Sequence, residues 1–342
     1  MQQKKPVPGF LIVLMDVLLI GAALLLFAYF HHVRPQKAEG PKQNIVFGET
    51  PQVEATTAQP DTTPDAQIAQ QEQPTPTPTA TPEPEIGDFS AVFPTYDTGE
   101  GALYSYQTDN VRIAIRSDKY QDGVYFAADV WVRNIQQFRT AFAQGEFAKG
   151  SANYRMPLDI ANDNNAMVAI TGDYCGARSS GVLIRNGDLY RDSVSEDVCV
   201  LYADGVMETY YKNDFNLEDA VARGAYQSWS FGPKLLDNGQ LPESYDGAEA
   251  LLQPVLNNHA PRAGIGYFEP GHYCLVVVDG RQGDYSRGMT IPQFSELFLQ
   301  LGCKDAYNLD GGQTSAMIYN GAVVNKPYKD GRVISDIIYF GG

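Results

Sequence analysis

The stretch Asn308-Leu-Asp-Gly-Gly-Gln-Thr-Ser315 concentrates residue types that can do chemistry. An apolar run from Ala306 to Leu309, broken by one amide, ends at Asp310. Two glycines follow, then Gln313, Thr314 and Ser315, and a short apolar strand closed by Asn320-Gly321. A carboxylate at a strand end can serve as nucleophile or general acid/base at a glycosidic carbon. Gly311 and Gly312 can adopt backbone angles closed to other residues and let a ligand approach the main chain. Their N–H groups, with the Thr314 and Ser315 hydroxyls, form a cradle suited to phosphate or sugar hydroxyls. The competing reading is a hairpin in which Asn308 and Asp310 merely satisfy turn backbone.

The elements around this stretch read as mostly β. Val111–Ile115 and Val124–Val132 alternate as half-buried strands do, and Ala166–Ile170 is a short apolar run. Asn186-Gly187 and Asp204-Gly205 mark tight hairpins, and Ile265–Val278 forms another around Glu269-Pro-Gly-His272. Two helices are expected. One spans Asn134–Ala143, with Ile135, Phe138 and Phe142 on one face. The other begins at Thr290, has Gln293 at capping-box spacing, and carries Phe294, Leu297, Phe298 and Leu301 as an apolar stripe. The expected fold class is α+β, a mixed sheet with helices packed against it.

Several blocks occur together with the opening motif. They are "PRAGIG" (Pro261–Gly266), "LVVVDGR" (Leu275–Arg281), "RGMTIPQFSELFLQLG" (Arg287–Gly302) and "AYNLDGGQTSAMIYNGAVVNKP" (Ala306–Pro327). In that order they resemble the phosphodiester glycosidase family, from about Ala166 to the C-terminus. "SFGPKLL" (Ser230–Leu236) and "AITGDYCG…GVLIRNG" (Ala169–Gly187) are similar to its earlier blocks. The resemblance implies a site built from Arg262, Asn308, Asp310, Gly311, Gly312, Thr314 and Ser315. It implies hydrolysis of a sugar-1-phosphodiester, with Asp310 acting on the anomeric carbon. Arg262, whose planar fork suits a phosphate, would stabilise the departing group. Where the family has Asn-Gly-Gly, this chain has Thr171-Gly172-Asp173, so Thr171 and Asp173 are candidate substrate contacts. Asp173 is read as a second carboxylate of a pair, as part of a calcium site with Asp310, or as an exposed turn residue. Asp279 before Gly280 is read as a turn residue.

The flanks set the expected context. Phe10–Phe30 holds 21 residues with one charge, Asp16, which predicts an uncleaved transmembrane anchor; a cleaved signal peptide is the alternative. The expected organisation is a cytoplasmic tip and anchor over 1–34, a Pro/Thr-rich disordered stalk over 35–88, and an extracellular domain over 89–342. "QPTPTPTATPEPE" (Gln73–Glu85) alternates Pro with Thr or Glu and cannot build a core. With a net charge of −16 and no basic run, nucleic acid is excluded as a partner. The expected partner is a phosphodiester-linked glycan of the cell surface, a cell-wall polymer or exopolysaccharide. The competing functions are a non-catalytic module binding such a glycan, favoured by the altered 171–175 block, and a peptidoglycan-associated scaffold. Cys175, Cys199, Cys274 and Cys303 allow three pairings or none, and no spacing suggests zinc.

Overall fold

Turn chemistry sets the strand pairs. In this computed structural model the described residues are 9–29, 37–45, 87–248 and 252–341. The chain runs α1 (Gly9–Ala28), β1 (Gln43–Asn44), β2 (Tyr104–Gln107), β3 (Val111–Tyr120), β4 (Gly123–Val132), β5 (Arg139–Phe142), α2 (Pro157–Asp163) and β6 (Val168–Thr171). It continues with β7 (Leu183–Arg185), β8 (Asp188–Arg191), β9 (Val198–Tyr202), β10 (Met207–Tyr210), α3 (Leu217–Ala222), β11 (Ala225–Trp229) and β12 (Lys234–Leu236). Last come β13 (Arg262–Glu269), β14 (His272–Val278), α4 (Ile291–Gln300), β15 (Asp305–Asn308), β16 (Met317–Tyr319), β17 (Ala322–Val323) and β18 (Asp336–Phe340). Asn186 and Gly187 both take positive φ between β7 and β8, as a two-residue hairpin turn of this kind requires.

A seven-stranded sheet in the order β12-β15-β13-β14-β4-β3-β2 faces a five-stranded sheet, β17-β16-β6-β18-β5. Alternation along β14 shows how the layers form. Tyr273, Leu275 and Val277 join Val168, Ile170, Met317, Ile338 and Phe340 in the core between the sheets. Cys274, Val276 and Val278 point the other way, onto Phe294, Leu297 and Phe298 of α4. The capping box of α4 is present, with Thr290 accepting from the Gln293 N–H and Gln293 reaching back to the Thr290 N–H.

Four expectations are corrected. The fold is mostly β, and every described ladder is antiparallel, so the sheet is not mixed. The expected helix at Asn134–Ala143 is one 3-10 turn, Ile135–Gln137, followed by strand β5. Phe138, Thr140 and Phe142 are all buried, and their period of two outweighs the helical spacing of Ile135, Phe138 and Phe142. The anchor over Phe10–Phe30 and the single-pass placement built on it also fall. Among the described residues no helix is long and apolar enough to cross a membrane. α1 carries a charge, Asp16, inside its apolar sequence. The Pro/Thr stretch 46–86 lies outside the described residues, but residues 37–45 pack on the domain. Gln43 and Asn44 pair with β8, and Ile45 is buried beside Val182 and Leu189. All four cysteines are free and buried.

Candidate active site

The motif that opens the sequence analysis is the point where the chain crosses between sheets. β15 belongs to the seven-stranded sheet and β16 to the five-stranded one, and Leu309–Ala316 spans the gap. Three backbone bonds fix the crossing. The Leu309 N–H donates to Ala263 O (2.8 Å), the Asp310 N–H to Gly172 O (3.1 Å) and the Gly312 N–H to Pro261 O (2.9 Å). The two glycines have separate reasons. A Cβ on Gly311 would lie 3.0 Å from Pro261 O, and Gly312 takes φ +69.

A cleft of about 220 Å³ opens over this crossing, lined among others by Tyr174, Arg262, Arg281, Asn308, Asp310 and Arg332. Asp310 is the acidic side chain among its described lining. It is 5% exposed, and its Oδ2 has no hydrogen-bond partner. Burial pushes its pKa up to about 7, opposed chiefly by the Arg332 charge. The Arg332 guanidinium lies 3.7 Å from Oδ2 and over the Tyr174 ring. Asn308 donates through Nδ2 to Gly232 O (2.8 Å), leaving a buried Oδ1 free to accept from a ligand.

The predicted residues divide. Arg262, Asn308, Asp310, Gly311 and Gly312 line the cleft. Thr314 and Ser315 are buried behind it; the Thr314 hydroxyl donates to Gly311 O (2.6 Å), while Ser315 Oγ is unpartnered. The N–H cradle is partly spent, because the Gly312 N–H is bonded to Pro261. Arg262 is also committed. Its Nε donates to Met289 O (2.9 Å) and its Nη2 to Asn258 O (2.9 Å) and Val255 O (3.3 Å). Burial, with the nearby Arg281 charge, lowers its pKa to about 10, so it stays cationic near neutrality.

Thr171 and Asp173 do not line the cleft. Thr171 is the last residue of β6, buried in its ladder with β18. Asp173 is fully buried, 2.9 Å from Arg185 and 3.8 Å from Arg178, and accepts the Ser230 N–H at 3.0 Å. Burial alone would raise its pKa, but Arg185, Arg178 and that N–H hold it below the usual value. Arg185 also bonds Asp336 at 2.9 Å. Asp173, Cys175 and Asp336 come close enough to hold a cation, and Asp310 is outside that group. The calcium expectation does not fit, because the Arg185 guanidinium already bridges both carboxylates. Asp279 is a tie, accepting from Tyr285 (2.9 Å), Asn325 (2.8 Å) and the Lys326 N–H (3.0 Å).

Arg281, Arg332 and Tyr174 escaped the sequence reading as site residues. Arg281 closes the quoted block Leu275–Arg281 and Tyr174 sits inside the altered block, so both had a signal. Arg332 had none.

The phosphodiester glycosidase family model matches residues 164–341, over half the chain. This chain belongs to the phosphodiester glycosidase family. A curated relative, the SPbeta prophage-derived uncharacterized protein YomE of Bacillus subtilis (strain 168), is 31% identical over 185 residues. That match covers 52% of this chain and 28% of YomE. Among solved structures, the catalytic domain of zebrafish N-acetylglucosamine-1-phosphodiester α-N-acetylglucosaminidase, auto-inhibited by its pro-peptide, is similar with a TM-score of 0.53 at 18% identity. The match covers 70% of this chain and 86% of that one. A hypothetical protein from Synechocystis has a TM-score of 0.50 at 14% identity, covering 68% and 62%. At such identities these two structures speak to the fold alone.

Proposed function

We propose that this phosphodiester glycosidase domain hydrolyses a sugar-1-phosphodiester, of the N-acetylglucosamine-1-phosphodiester type that the zebrafish neighbour's name describes. The observation carrying the reading is Asp310, a buried carboxylate at a cleft whose other charged lining is arginine. In the reaction the bond from the anomeric carbon to the phosphate oxygen breaks. The phosphate keeps the bonding pair and leaves as a phosphomonoester, while water supplies the hydroxyl that ends on the sugar. Arginines 262, 281 and 332 supply positive charge where the leaving phosphate gains negative charge, the largest usual source of electrostatic catalysis. A phosphate leaves readily, so one carboxylate acting in its ionised form suffices, and the paired general acid of ordinary glycosidases is dispensable. Asn308 Oδ1 takes a sugar hydroxyl or amide.

The feature that favoured a non-catalytic glycan-binding module loses its weight here, since Asp173 is turned inward onto Arg185 and Thr171 stays within the sheet. The test is incubation of the chain with a panel of sugar-1-phosphodiesters, reading free sugar and phosphomonoester, with kcat/KM followed against pH. An ionised Asp310 predicts a rate that rises through about pH 7, its raised pKa, and then levels. A rate that falls above pH 7 would make Asp310 a general acid. No released sugar from any member would remove the activity.

A further inference from the structure

The cleft does not end at Arg281. A second depression of about 410 Å³ adjoins it, lined by Asn257, Asn258, His259, Arg281, Gln282, Gly283 and Arg287, and Arg281 lines both. Arg281 takes φ +56, a left-handed conformation that costs an arginine and is kept only where the surroundings impose it. They do. The Arg281 N–H donates to Arg287 O (3.2 Å) and the Gln282 N–H to Ser286 O (3.0 Å). Tyr285 and Ser286 then tie the loop to Asp279 at 2.9 and 2.6 Å. The result is a fixed loop whose leading guanidinium has no hydrogen bond or ion pair among the described residues. It lies 5.6 Å from the Tyr328 ring.

Charge around the loop points one way. Lys326 sits over the Tyr285 ring and Lys329 over Tyr328, and neither makes an ion pair among the described residues. Arg287 lies 3.1 Å, and His259 3.8 Å, from the one carboxylate they share, Asp122; Asp284 is the exposed acid of the loop. In a chain of net charge −16, five cationic or protonatable side chains sharing Asp122 and Asp284 beside one cleft, with Arg281, Lys326 and Lys329 in no ion pair among the described residues, make a local anion site and not a product of composition.

We propose that this groove is an acceptor subsite for an alcohol that itself carries a further phosphate, so that the preferred substrate is an oligomeric phosphodiester. The proposal rests on the activity proposed above. Arg281 straddles the scissile phosphate and the groove, and Arg287 on the groove wall receives the next phosphate along. Lys326, whose carbonyl accepts from Gln282 of that wall, adds charge at its edge.

Two substrates test it: a sugar-1-phosphodiester of a short alcohol, and the same compound with the alcohol extended by two phosphodiester units. The extended one should show a kcat/KM about tenfold higher, through KM, the size of one added charge-assisted contact. The preference should shrink as salt rises. In the double variant Arg287→Gln/Lys326→Gln the ratio should fall to within twofold of one. A wild-type ratio near one, or a ratio surviving in the double variant, overturns the subsite. A second arm measures binding of a labelled phosphodiester oligomer without the sugar. If neither substrate is cleaved but the oligomer binds, and the double variant weakens it about tenfold, the groove stands and the activity falls. If both substrates are cleaved alike and the oligomer does not bind, the activity stands and the groove falls. Absence of both cleavage and binding overturns the two together.

Discussion

Asp310 stores an opposition between stability and reactivity. Its folded pKa of about 7 lies above the ordinary aspartate value of 3.8. Below pH 3.8 the carboxyl is neutral in both states and costs nothing. As pH rises toward 7 the unfolded chain ionises first, so stability falls, and it levels once the folded group has also ionised. The full penalty is about 4 kcal/mol. Asp310→Asn removes it, so we expect this variant to melt several degrees above wild type at pH 8 and to match it at pH 4. Its turnover should drop at least a hundredfold, on the order of 3 kcal/mol. Calorimetry and initial rates on the same samples check both. An Asp310→Asn variant as active as wild type removes the carboxylate from the chemistry. Arg332 gives a companion test. Its charge is the main force opposing the rise, so Arg332→Ala should move the acid limb of the rate profile to higher pH.

Elements were legible where their signal is local. The Asn186-Gly187 turn and the Thr290/Gln293 capping box each occupy a few adjacent residues, so the chain announces them without its fold. Ile135, Phe138 and Phe142 fit two periods, and only burial against a neighbouring sheet decides between them. The site splits along the same line. Asn308 and Asp310 stand in one motif, whereas Arg281 and Arg332 arrive from separate loops that meet only after the sheets stack. The carbonyls that occupy Arg262 come from 255–258 and 289, which no spacing in the sequence links to it. Beneath the cleft, Arg185 holds Asp173 and Asp336 at the end of the strand whose next carbonyl, Gly172 O, takes the Asp310 N–H. Asp173→Asn leaves Arg185 with half its compensation, at a cost of roughly 3 kcal/mol for a broken buried pair. It should also lower kcat more than it raises KM, because it loosens the segment that positions Asp310 without touching substrate. Urea denaturation and steady-state kinetics separate the two effects. Equal changes in kcat and KM would leave Asp173 a purely structural residue.

At the scale of the whole molecule, the domain is wider than the block where the family signal lies. β3 and β4, at residues 111–132, lie ahead of the matched 164–341 yet are interior strands of the seven-stranded sheet, with β4 paired directly to β14. Residues 37–45 extend it further, through two contacts of different physics. Ile45 is 4% exposed in the apolar cluster with Val182, Leu189 and Phe215, whereas the Lys42–Asp192 pair is half exposed on both sides. Burial of a branched apolar side chain outweighs an ion pair that water screens. Ile45→Ala should therefore cost roughly 2 kcal/mol or more, since the cavity adds to the lost transfer free energy. Lys42→Ala should stay within about 0.5 kcal/mol and shift even less in high salt. Chemical denaturation of the two variants in the full chain decides it. A negligible Ile45→Ala effect would mean that β1 adds no stability to the sheet edge of β8. A Lys42→Ala effect as large as that of Ile45→Ala would make the tie electrostatic, and β1 should then release as ionic strength rises.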